Sequence, residues 1–143
     1  MLNLLEIGQG VLAAQPFSAM LGTRMTAYAD GAVELRLAID DKVRQQHGFV
    51  HGGVLAYLAD NALTFAGGLS LQRGGVLTSE LKINYIRPAI GDELVARAAT
   101  LSAGRTQAVC RCEIYVIVDG EERLCAAAQG TIVKTEAAKP KPA

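Results

Sequence analysis

The sequence predicts an α+β domain in which an antiparallel sheet wraps around, or packs against, one long central helix. Three observations carry this. One long stretch, residues 54–69, has apolar residues at three- and four-residue intervals. Shorter runs of strand character flank it, two before and four after, and turn-forming pairs separate these runs. A chain of 143 residues accommodates one such domain and no second independent core.

The elements follow in order. Residues 1–22 form an apolar N-terminal segment, predicted to be helical over 2–14 and structural in role. The domain proper is expected over 23–134. Its first two strands, 23–29 and 32–39, flank Asp30-Gly31, a strong hairpin signal. In the helix, Leu55, Leu58, Ala59, Ala62, Phe65, Ala66 and Leu69 make one apolar stripe, while Gly67-Gly68 weakens the last turn. After Gly74-Gly75 come strands at 76–86, 93–102, 106–118 and 123–133, broken by turn chemistry at 88–92, Ala103-Gly104 and Asp119-Gly120. Residues 135–143, TEAAKPKPA, are expected to be a disordered tail.

Charge excludes several partners. Lys+Arg and Asp+Glu are both 14, so no net basic field exists to hold nucleic acid or an anionic membrane. Glu6 interrupts the apolar start, which argues against a signal peptide, and no uncharged run reaches the ~18 residues that span a bilayer. The expected location is cytoplasmic. Cys110, Cys112 and Cys125 are odd in number and are expected to be reduced. Cys110 and Cys112 share a strand face, where packing beneath a sheet is the expected role rather than metal binding.

The stretch HGFVHGGVLAYLADNALTFAGG, residues 47–68, raises the functional question. With histidines neutral, Asp60 is the only formal charge between Arg44 and Arg73. At 100° per residue, Tyr57, Asp60 and Thr64 fall opposite the apolar stripe, among Gly53, Ala56 and Gly67. A helix with no solvated face needs cover on both sides, and a second subunit is expected to supply it. An ionised carboxylate there is costly unless something offsets it. Upstream, Gly52 and Gly53 precede the predicted helix, where unpaired N–H groups point outward. Such groups polarise a carbonyl, and Asp60 is then available as base or nucleophile. The competing reading is a tightly packed helix start with Asp60 as a satisfied polar group. No G-x-S-x-G elbow supports a serine nucleophile at Ser70 or Ser79. His47 and His51 have a metal-compatible spacing, but they lie in a glycine-rich loop and lack further ligands, so no metal is expected. His51 is expected to fix the loop through a ring hydrogen bond.

Gln45, His51-Gly52-Gly53, Asp60-Asn61 and Thr64 together resemble the hotdog-fold acyl-CoA thioesterases of the phenylacetate-pathway and 4-hydroxybenzoyl-CoA type. The likeness spans about residues 23–133. It implies that the Gly52 N–H binds the thioester oxygen, that Asp60 drives hydrolysis, and that Gln45 orients the thioester or the attacking water. It also implies a hydroxyl at Thr64, or on the following strand near Thr78 or Ser79, to hold that water. A homodimer or dimer of dimers is implied, with Gly52 of one subunit meeting Asp60 of the other. The substrate would be an acyl- or aryl-CoA, with no cofactor beyond the CoA it carries. Arg87, Arg97 and Arg105 are scattered cations available to CoA phosphates, Arg87 and Arg105 being the chosen candidates. An acyl pocket is expected near Phe49, Tyr57 and Leu58. The alternatives are a non-catalytic acyl-CoA binder, a hydratase, whose motif is missing, and a purely structural protein, which has no need of Asp60.

Overall fold

The computed structural model describes residues 1–29, 31–72 and 74–135. In chain order the elements are α1 (Leu4–Ala13), α2 (Pro16–Leu21), β1 (Arg24–Ala29), β2 (Ala32–Ala38), a 3-10 turn (Asp41–Val43), α3 (Gly52–Ser70), β3 (Val76–Tyr85), β4 (Glu93–Ala103), β5 (Gln107–Val118) and β6 (Glu121–Lys134). Asp30 of the expected hairpin turn and residues 136–143 of the expected tail lie outside the described residues. The backbone N–H of Thr135, the first residue assigned to that tail, donates to the Gly75 carbonyl at 2.7 Å.

The six strands form one antiparallel sheet in the order β1-β2-β4-β5-β6-β3, and α3 packs across it. This is the α+β arrangement expected, the hotdog. Alternate residues of the central strands, such as Leu35, Leu37, Leu94, Ala96, Ile114 and Ile132, are fully buried and meet Leu58, Ala59, Ala62 and Leu63 of the helix. The cysteines belong to this layer: Cys110, Cys112 and Cys125 are buried free thiols. Burial pushes Cys112 up to about 12 and Cys125 to about 11, so both stay protonated at neutral pH.

The N-terminal segment is two helices rather than the single one expected. An Asn3/Glu6 capping box starts α1. Pro16 then takes the first position of α2, where its missing N–H and fixed φ are tolerated, and Gly22 ends that helix in the left-handed region at φ 79°. These helices also change the account of α3. Part of the flank assigned to another subunit is clothed by the chain itself: Phe17 meets the Tyr57 ring edge-on at 5.0 Å, and the Tyr57 hydroxyl bonds Ser18 at 2.5 Å and Thr23 at 2.9 Å.

Candidate active site

The start of α3 is built around His51. Sequence spacing begins the helix at Val54, but Gly52 and Gly53 are its first two residues and His51 is the N-cap. The ring hydrogen bond expected of His51 is present, with the Gly53 N–H donating to Nδ1 at 2.8 Å. A Cβ on Gly53 would lie 2.9 Å from that nitrogen, so the glycine makes room for the cap. One of the two expected free donors is therefore used, while the Gly52 N–H has no acceptor among the described residues. Gly52 lines a cleft of about 330 Å³ with Gln45, Phe49, Tyr85 and Arg87. Tyr85 closes one side, its hydroxyl donating to the Gly52 carbonyl at 3.1 Å. Gln45 is half-buried there, and its side-chain oxygen accepts the His47 N–H. Its side-chain NH₂ is the group left to face a ligand.

Two turns along the helix, Asp60 is half-buried. The Thr78 hydroxyl on β3 donates to its Oδ1 at 2.5 Å. The Thr64 hydroxyl donates to the Asp60 carbonyl at 2.8 Å and also lies 3.0 Å from the Thr78 oxygen. Each hydroxyl has one proton. That of Thr78 is given to the carboxylate, so Thr64 shares its own between the Asp60 carbonyl and Thr78. Thr64 is then an acceptor toward any water. Ser79 is the extra residue of a β-bulge, since Thr78 pairs with Ile132 and Glu80 with Thr131. It is exposed, and its hydroxyl turns to the Thr131 carbonyl at 3.3 Å. The strand hydroxyl that reaches Asp60 is Thr78, and Thr64 lies against it.

A polar network that the sequence did not single out flanks Asp60. Asn61 Nδ2 donates to Gln15 at 3.1 Å, Ser18 at 3.2 Å and Tyr57 at 3.3 Å. Ser18 in turn bonds Gln15 at 2.6 Å. The protons run in one direction, from Thr23 through Tyr57 and Ser18 to Gln15, which satisfies each hydroxyl in turn. No sequence signal marked it, because the facing of Gln15 and Ser18 to Tyr57 and Asn61 depends on α2, which the sequence did not show. The network corrects the expected acyl pocket as well: the Tyr57 hydroxyl is committed here, Leu58 is fully buried, and Phe49 belongs to the Gly52 cleft.

The expected CoA contacts separate. Arg87 lines the Gly52 cleft, next to the β6 residue Cys125, whose carbonyl accepts its N–H. Arg105 lies in the β4–β5 turn, where the neighbouring Thr106 carbonyl accepts from Lys134. Nine residues of strand, roughly 30 Å, separate those two ends of β6. In one chain Arg105 does not serve the cleft that Arg87 lines. Arg97 is held on the sheet's other face by Glu34 at 2.8 Å and Glu122 at 2.5 Å, over the Tyr115 ring. Among the described residues no cluster of three or more His, Cys, Asp or Glu is placed to hold a metal ion, and no helix is long and apolar enough to cross a membrane.

The candidate residues thus fall into two groups: Gly52, Gln45, His51 and Arg87 at the start of α3, and Asp60, Thr64 and Thr78 further along it. Eight residues of helix put Gly52 and Asp60 about 12 Å apart along the axis. A single thioester carbonyl does not reach both within one chain.

Residues 47–125 match the family model described as the thioesterase superfamily. A thioesterase family protein from Silicibacter pomeroyi superposes with a TM-score of 0.83 at 37% identity, covering 88% of this chain and 93% of that one. Human acyl-coenzyme A thioesterase 13 is 31% identical over 74% of this chain and 77% of its own. The proofreading thioesterase EntH of Klebsiella pneumoniae is 30% identical over 80% of this chain and 83% of its own. The matched segment runs from the loop before Gly52 through α3 to Cys125 on β6, a span that includes Gly52, Asp60, Thr64 and Thr78, and on this agreement of sequence and fold the chain belongs to the thioesterase superfamily.

Proposed function

We propose that this protein is an acyl-CoA thioesterase, hydrolysing the thioester of an acyl- or aryl-CoA to the free acid and CoA, and that it works as a homodimer or a dimer of such dimers. The observation that carries the reading is the half-buried Asp60 carboxylate, held by the Thr78 hydroxyl on a helix whose first N–H, at Gly52, is uncommitted. An ionised carboxylate oriented by a hydroxyl is a reactive group, and a free helix-start N–H is a donor for a developing oxyanion. Because the two stand about 12 Å apart along one helix, the reading brings Gly52 of one subunit to Asp60 of the other. The carbonyl oxygen then takes the Gly52 N–H, and the Gln45 amide orients the thioester or the water. Asp60 either takes a proton from water as that water attacks the carbonyl carbon, or attacks the carbon itself and is freed by water. The C–S bond breaks with its electron pair going to sulfur, and the CoA thiolate takes up the proton that the water gives up, so that water supplies the hydroxyl of the acid and the proton of the thiol. Arg87 meets the CoA phosphates, no cofactor or metal takes part, and the protein acts in the cytoplasm, where its three buried thiols stay reduced. The test is release of free CoA thiol from a panel of acyl- and aryl-CoAs, before and after dialysis against a chelator. Chelator-insensitive turnover is expected. Ligand binding without thiol release would instead favour a non-catalytic acyl-CoA binder.

A further inference from the structure

A cleft of about 710 Å³ lies between α1 and α3, within the ~300–1,000 Å³ typical of small-molecule sites. Its α3 wall is Asn61, Thr64, Phe65 and Gly68, whose spacing puts them on one helix face. Ile7 and Val11 of α1 face them. Thr64 touches Thr78, which holds the Asp60 carboxylate, so the cleft opens beside that carboxylate. From there it runs along the helix, and Gly68 stands one turn, about 6 Å, beyond Thr64.

The two glycines ending α3 differ in what holds them. A Cβ on Gly67 would lie 2.7 Å from Ile132, so packing alone requires glycine there. A Cβ on Gly68 would meet only Val76, at 3.4 Å, and the backbone is not left-handed. Glycine inside a helix is destabilising relative to alanine. Neither packing nor conformation calls for it at 68, and the space it leaves belongs to the cleft.

We infer that this cleft receives the acyl group and that Gly68 and Val11 set its reach, so that the substrates are thioesters of apolar acyl groups extended along α3. The inference rests on the acyl-CoA thioesterase reading. It is tested by measuring kcat/KM for straight-chain acyl-CoAs of increasing length with the wild type, Gly68→Val and Val11→Trp. The ratio of long-chain to short-chain kcat/KM is expected to fall about ten-fold or more in each variant. Val11 is 51% exposed, so Val11→Trp decides alone if Gly68→Val does not fold. An unchanged ratio in the folded variants overturns the inference and leaves the thioesterase reading standing. Titration calorimetry with free straight-chain carboxylic acids separates the two claims. Long acids that bind the wild type and bind both variants more weakly support the cleft even if no acyl-CoA is hydrolysed, which would overturn only the thioesterase reading. Wild type that neither hydrolyses acyl-CoAs nor binds the acids overturns both.

Discussion

At the scale of single residues, Asp60, Thr78 and Ser79 make a graded set. Asp60 is the acceptor of the Thr78 hydroxyl at 2.5 Å, and Ser79, next in sequence, faces the Thr131 carbonyl instead. Asp60→Asn keeps the shape and removes the charge, so kcat should fall by about 10³-fold or more with the circular dichroism spectrum unchanged. A hydrogen bond to a charged group is worth ~1.5–3 kcal/mol, so Thr78→Val should lower kcat about 10- to 100-fold. Ser79→Ala should behave as wild type. Equal effects at 78 and 79 would show that the hydroxyl contact to Asp60 has no part in turnover. The sequence pointed to Asp60 because a lone charge in an uncharged helix stands out, and to Gly52 because backbone donors gather at a helix start. It left the hydroxyl open because strand alternation locates a face only where pairing is regular. The bulge at Ser79 breaks that pairing, and a bulge is set by contacts with β6 that lie far away in sequence.

At the scale of elements, the long periodic helix and the strands were legible to within a few residues, since α3 and β4 to β6 are long, turn chemistry separates the strands, and β5 buries alternate residues. The six-residue α2 was not, because fewer than two turns show no period, and only Pro16 and Gly22 mark its ends. Nor was the role of the N-terminal helices: Gln15 and Ser18 read as ordinary polar residues until α2 places them against Tyr57 and Asn61. Composition likewise reads Gly67-Gly68 as one weak point, whereas the packing distinguishes them. Gly67→Ala drives a methyl group into the fully buried Ile132 and should destabilise by ~1–3 kcal/mol. Gly68→Ala places its methyl in ordinary contact and should stabilise by up to ~1 kcal/mol. Urea unfolding of both variants checks the signs. Destabilisation by both substitutions would mean that Gly68 is held by packing after all.

At the scale of the whole molecule, the separation of the two groups along α3 means that the proposed reaction requires assembly. Two inactive variants, Asp60→Ala and Gly52→Val, test it when coexpressed or refolded together. A Cβ at position 52 lies 3.5 Å from the Tyr85 ring. The branched side chain of valine therefore crowds the cleft in which the carbonyl is to sit. If each site draws Gly52 from one subunit and Asp60 from the other, a mixed dimer holds one site with both lesions and one with neither. Random pairing makes half the dimers mixed, and each keeps one of its two sites, so roughly a quarter of wild-type activity should return. If both residues served a site within one chain, every site would carry a lesion and nothing would return. Differently tagged subunits, copurified through both tags, show that mixed dimers have formed. Such dimers without activity would refute the shared site, and a monomer at assay concentration by sedimentation velocity would remove its premise.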